Sequence, residues 1–423
     1  MTVLVKVASV GKELVVAWRF GTGDELDAFF IAWLVPSLLI VVLADSFNGA
    51  LIPVFVRVRE QEGLQSAQKL LSNVVFLSLG LLGITTILMV VSTPIYLPLI
   101  AQGFSPEKLV LTKQILIAIS PIVPLSGVTV IWGAILNAGE RFAGAAIAPI
   151  STPIISILFL LGNKQLSIFA LPLGFVCGAV IEIIFLGIIL KKQGFFLLPE
   201  WHGFDRHLRY CGKQYLPTLA GAFLMFSTTI VDQSMAALVS PGSVAALNYG
   251  TKFVSLPINL TATALSVAVI PYFSKMVAER QWSEIRRMLK RYILLVFIIT
   301  IPLTILLVIF SQPLVELLLQ KGKFSSADSQ LVGRIQSFYA LQIPFYIAAT
   351  LVVRALVSMG LNHILIWAAG LNLLINIQLN YSFLDWLGVE GIALSTSCVH
   401  ACSFGFVLLC LKYNFPKVDN ESR

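Results

Sequence analysis

Apolar residues in this chain come in runs of about twenty, separated by short polar connections, and a helix needs about 20 residues to cross the hydrocarbon core of a bilayer. Runs of that length predict helices near 2–20, 27–56, 70–95, 112–137, 144–161, 165–190, 212–238, 243–274, 291–319, 329–358, 363–383 and 388–412. Prolines interrupt several of them: Pro36, Pro121, Pro124, Pro149, Pro153, Pro217, Pro257, Pro302 and Pro344. A broken helix inside a bilayer is tolerated where neighbouring helices or a wet cavity satisfy the freed backbone groups. The breaks therefore suit a transporter cavity and packing kinks equally well. The expected fold class is an all-α polytopic membrane protein, with about twelve transmembrane helices in two six-helix repeats around a central cavity. Its expected parts are an N-terminal bundle (1–194), a cytoplasmic linker (195–211), a C-terminal bundle (212–413) and a cytoplasmic tail (414–423).

Composition narrows the class further. Only 12% of the 423 residues are charged, 57% are apolar, and the mean hydropathy is +0.90. Soluble domains carry about 25% charged residues, so a soluble enzyme, a secreted disulfide scaffold and a nucleic-acid binder are excluded. The formal charge of +8 acquires meaning from its distribution. The even connections and the tail hold Arg57, Arg59, Lys69, Arg141, Lys191, Lys192, Arg206, Arg209, Lys213, Lys275, Arg280, Arg286, Arg287, Lys290, Arg291, Lys412, Lys417 and Arg423. The odd connections hold only Arg19, Lys108, Lys113, Lys164, Lys321, Lys323 and Arg334. The positive-inside rule then places the even side and both termini in the cytoplasm. Residues 280–291 read as a basic amphipathic helix on the anionic inner leaflet or as a solvated loop. The five cysteines lie in or beside apolar segments, and Cys398 and Cys402 offer too few converging ligands for a metal.

An internal repeat organises the chain. Residues 28–55 align without gaps to 246–273, with nine of 28 positions identical, and the two segments end ALIPVF and AVIPYF. GFSPEK at 103–108 resembles GKFSSAD at 322–328, and AILNAG at 134–139 resembles ALVSMG at 355–360. Six helices per half make the halves parallel, an arrangement that places substrate at their interface near the midplane.

Ionisable groups inside spans are costly and mark function. Lys6, Ser9 and Glu13 share one face of the first helix, and Lys12 lies elsewhere on it. Asp27 and Asp45 are in the second helix, Glu182 in the sixth, Asp232 in the seventh, Lys252 in the eighth and Arg354 in the tenth. Glu13, Asp27, Asp45 and Arg354 are candidates for lining or gating a cavity; pairing among the charges, or snorkelling of their heads to an interface, is the alternative. A second set is polar: Asn372 and Asn376 at i and i+4 on the eleventh helix, Thr396 on the twelfth, and Asp232. One carboxylate with amide and hydroxyl oxygens suits a monovalent cation, and interhelical hydrogen bonding is the competing reading. No HExxH, phosphate-cradling glycine loop or GxSxG is present, so an enzyme is not expected.

These residues carry a family resemblance. GKELVVAWRFGTGDELDAFFIAWLVPSLL…GALIPVF (11–55) resembles the opening of the MurJ/MviN lipid II flippases, within the multidrug/oligosaccharidyl-lipid/polysaccharide exporter superfamily. GAILNAGERF…AP (133–149), GSVAALNYGTKFVSLP (242–257), KGKF (321–324) and LVVRALVSMG (351–360) follow in the same order. The resemblance implies two six-helix bundles around a cavity in a bacterial plasma membrane, and inward-to-outward transfer of a polyprenyl-diphosphate-linked glycan. It implies a diphosphate contact at Lys6, Lys12 and Lys252, where the family carries arginine, and a cation site at Asp232, Asn372, Asn376 and Thr396. Na+ or H+ is the implied coupling ion, with no other cofactor, and cell-wall assembly proteins are implied partners. The chain departs from the family at Ile40, where an arginine is usual, at Asp45-Ser46, where Glu-Gly is usual, and in having twelve apolar runs where fourteen helices are common. Two further readings remain: a cation-coupled exporter of small amphiphiles on the same fold, and a non-transporting scaffold in cell-wall assembly.

Overall fold

The computed structural model describes residues 2–139, 142–162 and 164–415, apart from the side chains of residues 2, 3, 164, 217 and 262–271. The repeat identities at Ala262, Ala268, Ile270 and Pro271, and the tail from residue 416, lie outside that description. The chain forms two compact units, Met1–Phe226 with Lys321–Phe324, and Ser227–Gln320 with Ser325–Arg423.

The first unit contains α1 (Thr2–Phe20), α2 (Asp24–Leu39), a π-helical turn (Ile40–Ala44), α3 (Ser46–Ile100), α4 (Pro106–Ile119), α5 (Ile122–Ala138), α6 (Phe142–Ile147), α7 (Ser151–Gly162) and α8 (Ala170–Lys192). Helix α9 (Arg206–Val239) follows the linker and passes from the first unit to the second. The second unit continues with α10 (Ser243–Ala278), α11 (Trp282–Leu319), α12 (Ser326–Ala340), α13 (Ile343–Ser358), α14 (His363–Leu387) and α15 (Val389–Asn414). Among the described residues there is no strand, and nine helical stretches are long and apolar enough to cross a membrane. The longest, Asp24–Ile100, runs 77 residues. At 1.5 Å per residue that far exceeds one crossing, and Gly63 (φ 83°) breaks it into two arms. Apolar side chains face outward along these helices, Ile84, Val91 and Ile95 on α3 and Ile298, Ile305 and Ile309 on α11 among them. Such a surface is stable against lipid, not water.

The repeat motifs have a structural meaning inside each unit. Ser105 caps α4, its Oγ accepting from the Lys108 amide, and Ser325 caps α12 with a reciprocal bond to Asp328. AILNAG and ALVSMG end α5 and α13. Each unit thus runs cap, helix, break at residues 120–121 or 341–342, then a second helix.

Two close approaches in the first unit require glycine. On α8, a Cβ at Gly174 would lie 2.6 Å from Ser156 Cα, and one at Gly178 would lie 2.5 Å from Thr152 Cα, both on α7. This small-xxx-small pair lets α7 and α8 touch backbone to backbone. The Lys321–Phe324 turn is seated on the α1–α2 turn, the Lys323 amide donating to Trp18 O at 2.9 Å. Gly21 (φ +61°) and Gly322 (φ +64°) face this seam, and a Cβ on either would strike the opposite backbone.

Candidate functional site

In the first unit the cations of α1 stand in different surroundings. Lys6 is exposed, and Lys12 is half-buried with its Nζ 3.0 Å from Glu13 and 4.7 Å above the Phe175 ring. Phe175 on α8 is itself held edge-on between Phe29 and Trp33 of α2, at 5.7 and 5.3 Å. The Lys12 ammonium therefore sits between a carboxylate and an aromatic face.

The other charges of this unit behave differently from one another. Asp27 is fully buried and accepts from Lys108 Nζ at 2.8 Å; the same ammonium reaches Asp24 at 2.5 Å and lies 4.0 Å over the Phe104 ring. Asp27 thus joins α2 to α4 as a buried ion pair, its partner Lys108 standing in the first turn of α4. Asp45 is exposed at the end of the π-helical turn, where its amide closes a five-residue bond to Ile40 O. Tyr215 Oη donates to Leu43 O within that turn, and its ring stacks on Phe47 at 4.5 Å. The wide turn is stabilised by a residue of α9 and begins at Ile40 itself.

In the second unit Lys252 and Arg354 are half-buried on α10 and α13. The polar set converges more tightly. Asp232 on α9 accepts at Oδ1 from Asn376 Nδ2 (2.9 Å) and Asn380 Nδ2 (2.7 Å), and at Oδ2 from Thr396 Oγ1 (3.2 Å). Asn372 is not among its partners, and its amide donates to Ser403 Oγ at 3.1 Å. Asn380, one helical turn beyond Asn376 and two beyond Asn372 on the same face of α14, takes the place expected for Asn372. The sequence offered the signal, since 372, 376 and 380 form one i, i+4 row, and the expectation stopped one turn early.

The Asn376 and Asn380 amides both turn N–H groups to Asp232, and a flip of either would present its oxygen to a monovalent cation instead. The donor set comprises one carboxylate, two amide groups and a hydroxyl on three helices, and Asn380 Oδ1 is buried without a hydrogen-bond partner. Among the described residues no three His, Cys, Asp or Glu side chains converge as a metal-ligand group, so the oxygen set around Asp232 stands apart from a thiolate or imidazole centre.

The family model for the lipid II flippase MurJ matches residues 16–421. The chain belongs to the MurJ family. It is 25% identical over 430 residues to the probable lipid II flippase MurJ of Buchnera aphidicola subsp. Acyrthosiphon pisum, covering all of this chain and 84% of that one. The probable MurJ of Synechocystis is also 25% identical, over 95% of this chain and 78% of its own length. Among solved structures, a lipid II flippase MurJ in an inward closed conformation superposes with a TM-score of 0.82 at 26% identity, over 98% of this chain and 87% of that one. An inward-facing multidrug MATE transporter matches at 0.81 with 15% identity, over 98% and 94%, which shows a shared fold.

Proposed function

We propose that this chain moves a polyprenyl-diphosphate-linked glycan precursor, lipid II or a related lipid-linked sugar, from the inner to the outer leaflet of a bacterial plasma membrane by alternating access. The observation that carries this reading is a set of three lysines, Lys6, Lys12 and Lys252, on apolar helices of a chain in a lipid II flippase family. A diphosphate is compact and anionic, and lysine meets it as a point charge where arginine would clasp it bidentately. Lys12 is already held by Glu13 and Phe175, and a diphosphate would displace the carboxylate while the ring stays in place. Lysines in these positions suit an anionic head and disfavour an exporter of cationic amphiphiles. Glu13, Asp45 and Arg354 would complete the cavity lining, while Asp27 would hold α2 to α4.

Asp232, Asn376, Asn380 and Thr396 would hold Na+ or take up H+; when bound, the ion neutralises the buried carboxylate and so couples to the state of the second unit. Both termini would be cytoplasmic, as the basic residues favour, and other cell-wall assembly proteins would be the partners.

The test is rescue of bacteria depleted of their own lipid II flippase. The wild-type chain should restore growth, and Lys252→Gln should reach the membrane in equal amount and fail to restore it. Full growth with Lys252→Gln would remove that lysine from the substrate contact. Failure of the well-expressed wild-type chain would move the cargo to a different lipid-linked glycan.

A further inference from the structure

At the end of α8 the chain turns at Gly194 (φ +83°) and runs back over α3 as an extended strap. The strap is pinned from beneath. Asn73 Nδ2 donates to Gly203 O at 3.0 Å, the His202 amide donates to Asn73 Oδ1 at 2.7 Å, and Ser72 Oγ donates to Glu200 O at 2.8 Å. Its side chains alternate as extended backbone requires. Phe195 is buried and Leu197 partly so, while Phe196 and Leu198 are 81% and 82% exposed. Between strap, α3 and α8 lies a cleft of about 970 Å3 whose wall includes Lys69, Lys191, Glu200, Gln65 and Gln68. That is the size of a small-molecule site.

Three features define the occupant. Lys69 and Lys191 are exposed and have no ion pair among the described residues. His202 also lines the cleft, its Nε2 3.9 Å from Glu200; with the histidine counted as neutral, the two lysines against the Glu200 carboxylate leave one positive charge, the complement of one phosphodiester. The two most exposed apolar side chains of the strap flank those lysines, and Ile184 and Ile188 continue the apolar surface along α8. A soluble phosphate would use the lysines and leave Phe196 and Leu198 in water. A lipid uses both, with its head at the helix end and its chains along the helix.

We propose that this cleft binds one monoanionic glycerophospholipid of the phosphatidylglycerol type. Its phosphodiester lies between Lys69 and Lys191, its glycerol hydroxyls donate to Glu200 and the glutamine oxygens, and its acyl chains cover Phe196, Leu198 and the Ile184–Ile188 face. Assignment to the cytoplasmic leaflet rests on the orientation in the proposed function; the binding itself does not.

The full chain, purified and delipidated in detergent, is titrated with phosphatidylglycerol, phosphatidylethanolamine or phosphatidylcholine and read by native mass spectrometry. One phosphatidylglycerol should bind about tenfold tighter than the other two, a difference of about 1.4 kcal/mol. Lys69→Gln with Lys191→Gln should erase that preference at an unchanged melting midpoint, and the double arginine variant should keep it. Inorganic phosphate should not displace the lipid. Equal affinity for all three lipids, a preference that survives the double glutamine variant, or displacement by phosphate overturns the assignment. The readout needs no transport, so its failure leaves the flippase reading intact, and failed growth rescue leaves the lipid site intact.

Discussion

Charged residues stand out in this chain because the surrounding runs are apolar, but what each does depends on its partner. Asp27 was recognisable as an in-membrane carboxylate; its partner Lys108, 81 residues away, looked like an ordinary connection lysine. Asp27→Asn would leave the buried Lys108 ammonium with only the exposed Asp24 carboxylate, and breaking a buried pair costs up to about 3–5 kcal/mol. Asp27→Asn should therefore lower the melting midpoint of the detergent-purified protein sharply, while Asp24→Asn, at the exposed end of the same cluster, should have a small effect. The Asp232 group makes the same point with hydrogen bonds. Asn380→Ala removes a bond to the buried carboxylate, and Asn372→Ala does not. Sodium titration should raise the melting midpoint of the wild type and of Asn372→Ala alike. Asn380→Ala should need about tenfold more sodium, the equivalent of one lost hydrogen bond to a charged group. Equal sodium responses in both variants would remove Asn380 from the site.

At the scale of elements, local patterns were legible where a motif is self-contained. The serines before α4 and α12 are helix caps in both repeats, and the resemblance of GFSPEK to GKFSSAD is that cap seen as sequence. The Gly174–Gly178 spacing is equally local, yet only the packing of α8 on α7 shows that both glycines face Ser156 and Thr152. Gly178→Leu cannot be accommodated without separating the two helices, since the obstruction is backbone. It should destabilise the first unit by at least the 1–3 kcal/mol typical of overpacking, measurable as a lowered melting midpoint and faster proteolysis. Gly133→Ala, with open space at its Cβ position, serves as the neutral control. The π-helical turn at Ile40–Ala44 had no local signal. Its run, IVVLA, is apolar like the helix before it, and the widened turn is stabilised from outside by Tyr215.

For the whole molecule, the membrane class and the expected orientation come from sums over long stretches, and the expected repeat from comparing two of them. The all-α fold, with its outward apolar surface, agrees with the membrane class. Orientation is tested by alkaline phosphatase fused after successive helices. Fusions after Gly162 should be active, and those after Gln193 or Tyr413 inactive; the reverse pattern would invert the topology. Hydropathy, the side bias of lysine and arginine, the repeat and the identity of the polar residues in the spans were determined by the sequence itself, because each is a property of a run of neighbours or of a comparison between two runs. The partners of those polar residues were decided only by the tertiary structure. Lys108 meets Asp27, Asn380 replaces Asn372 beside Asp232, Tyr215 stabilises a π-turn, and a strap and two helix ends enclose a basic cleft. The contacts with Asp232 span 144 to 164 residues of chain. Which distant helices become neighbours is set by packing small residues against backbone, and no local window of sequence contains that information.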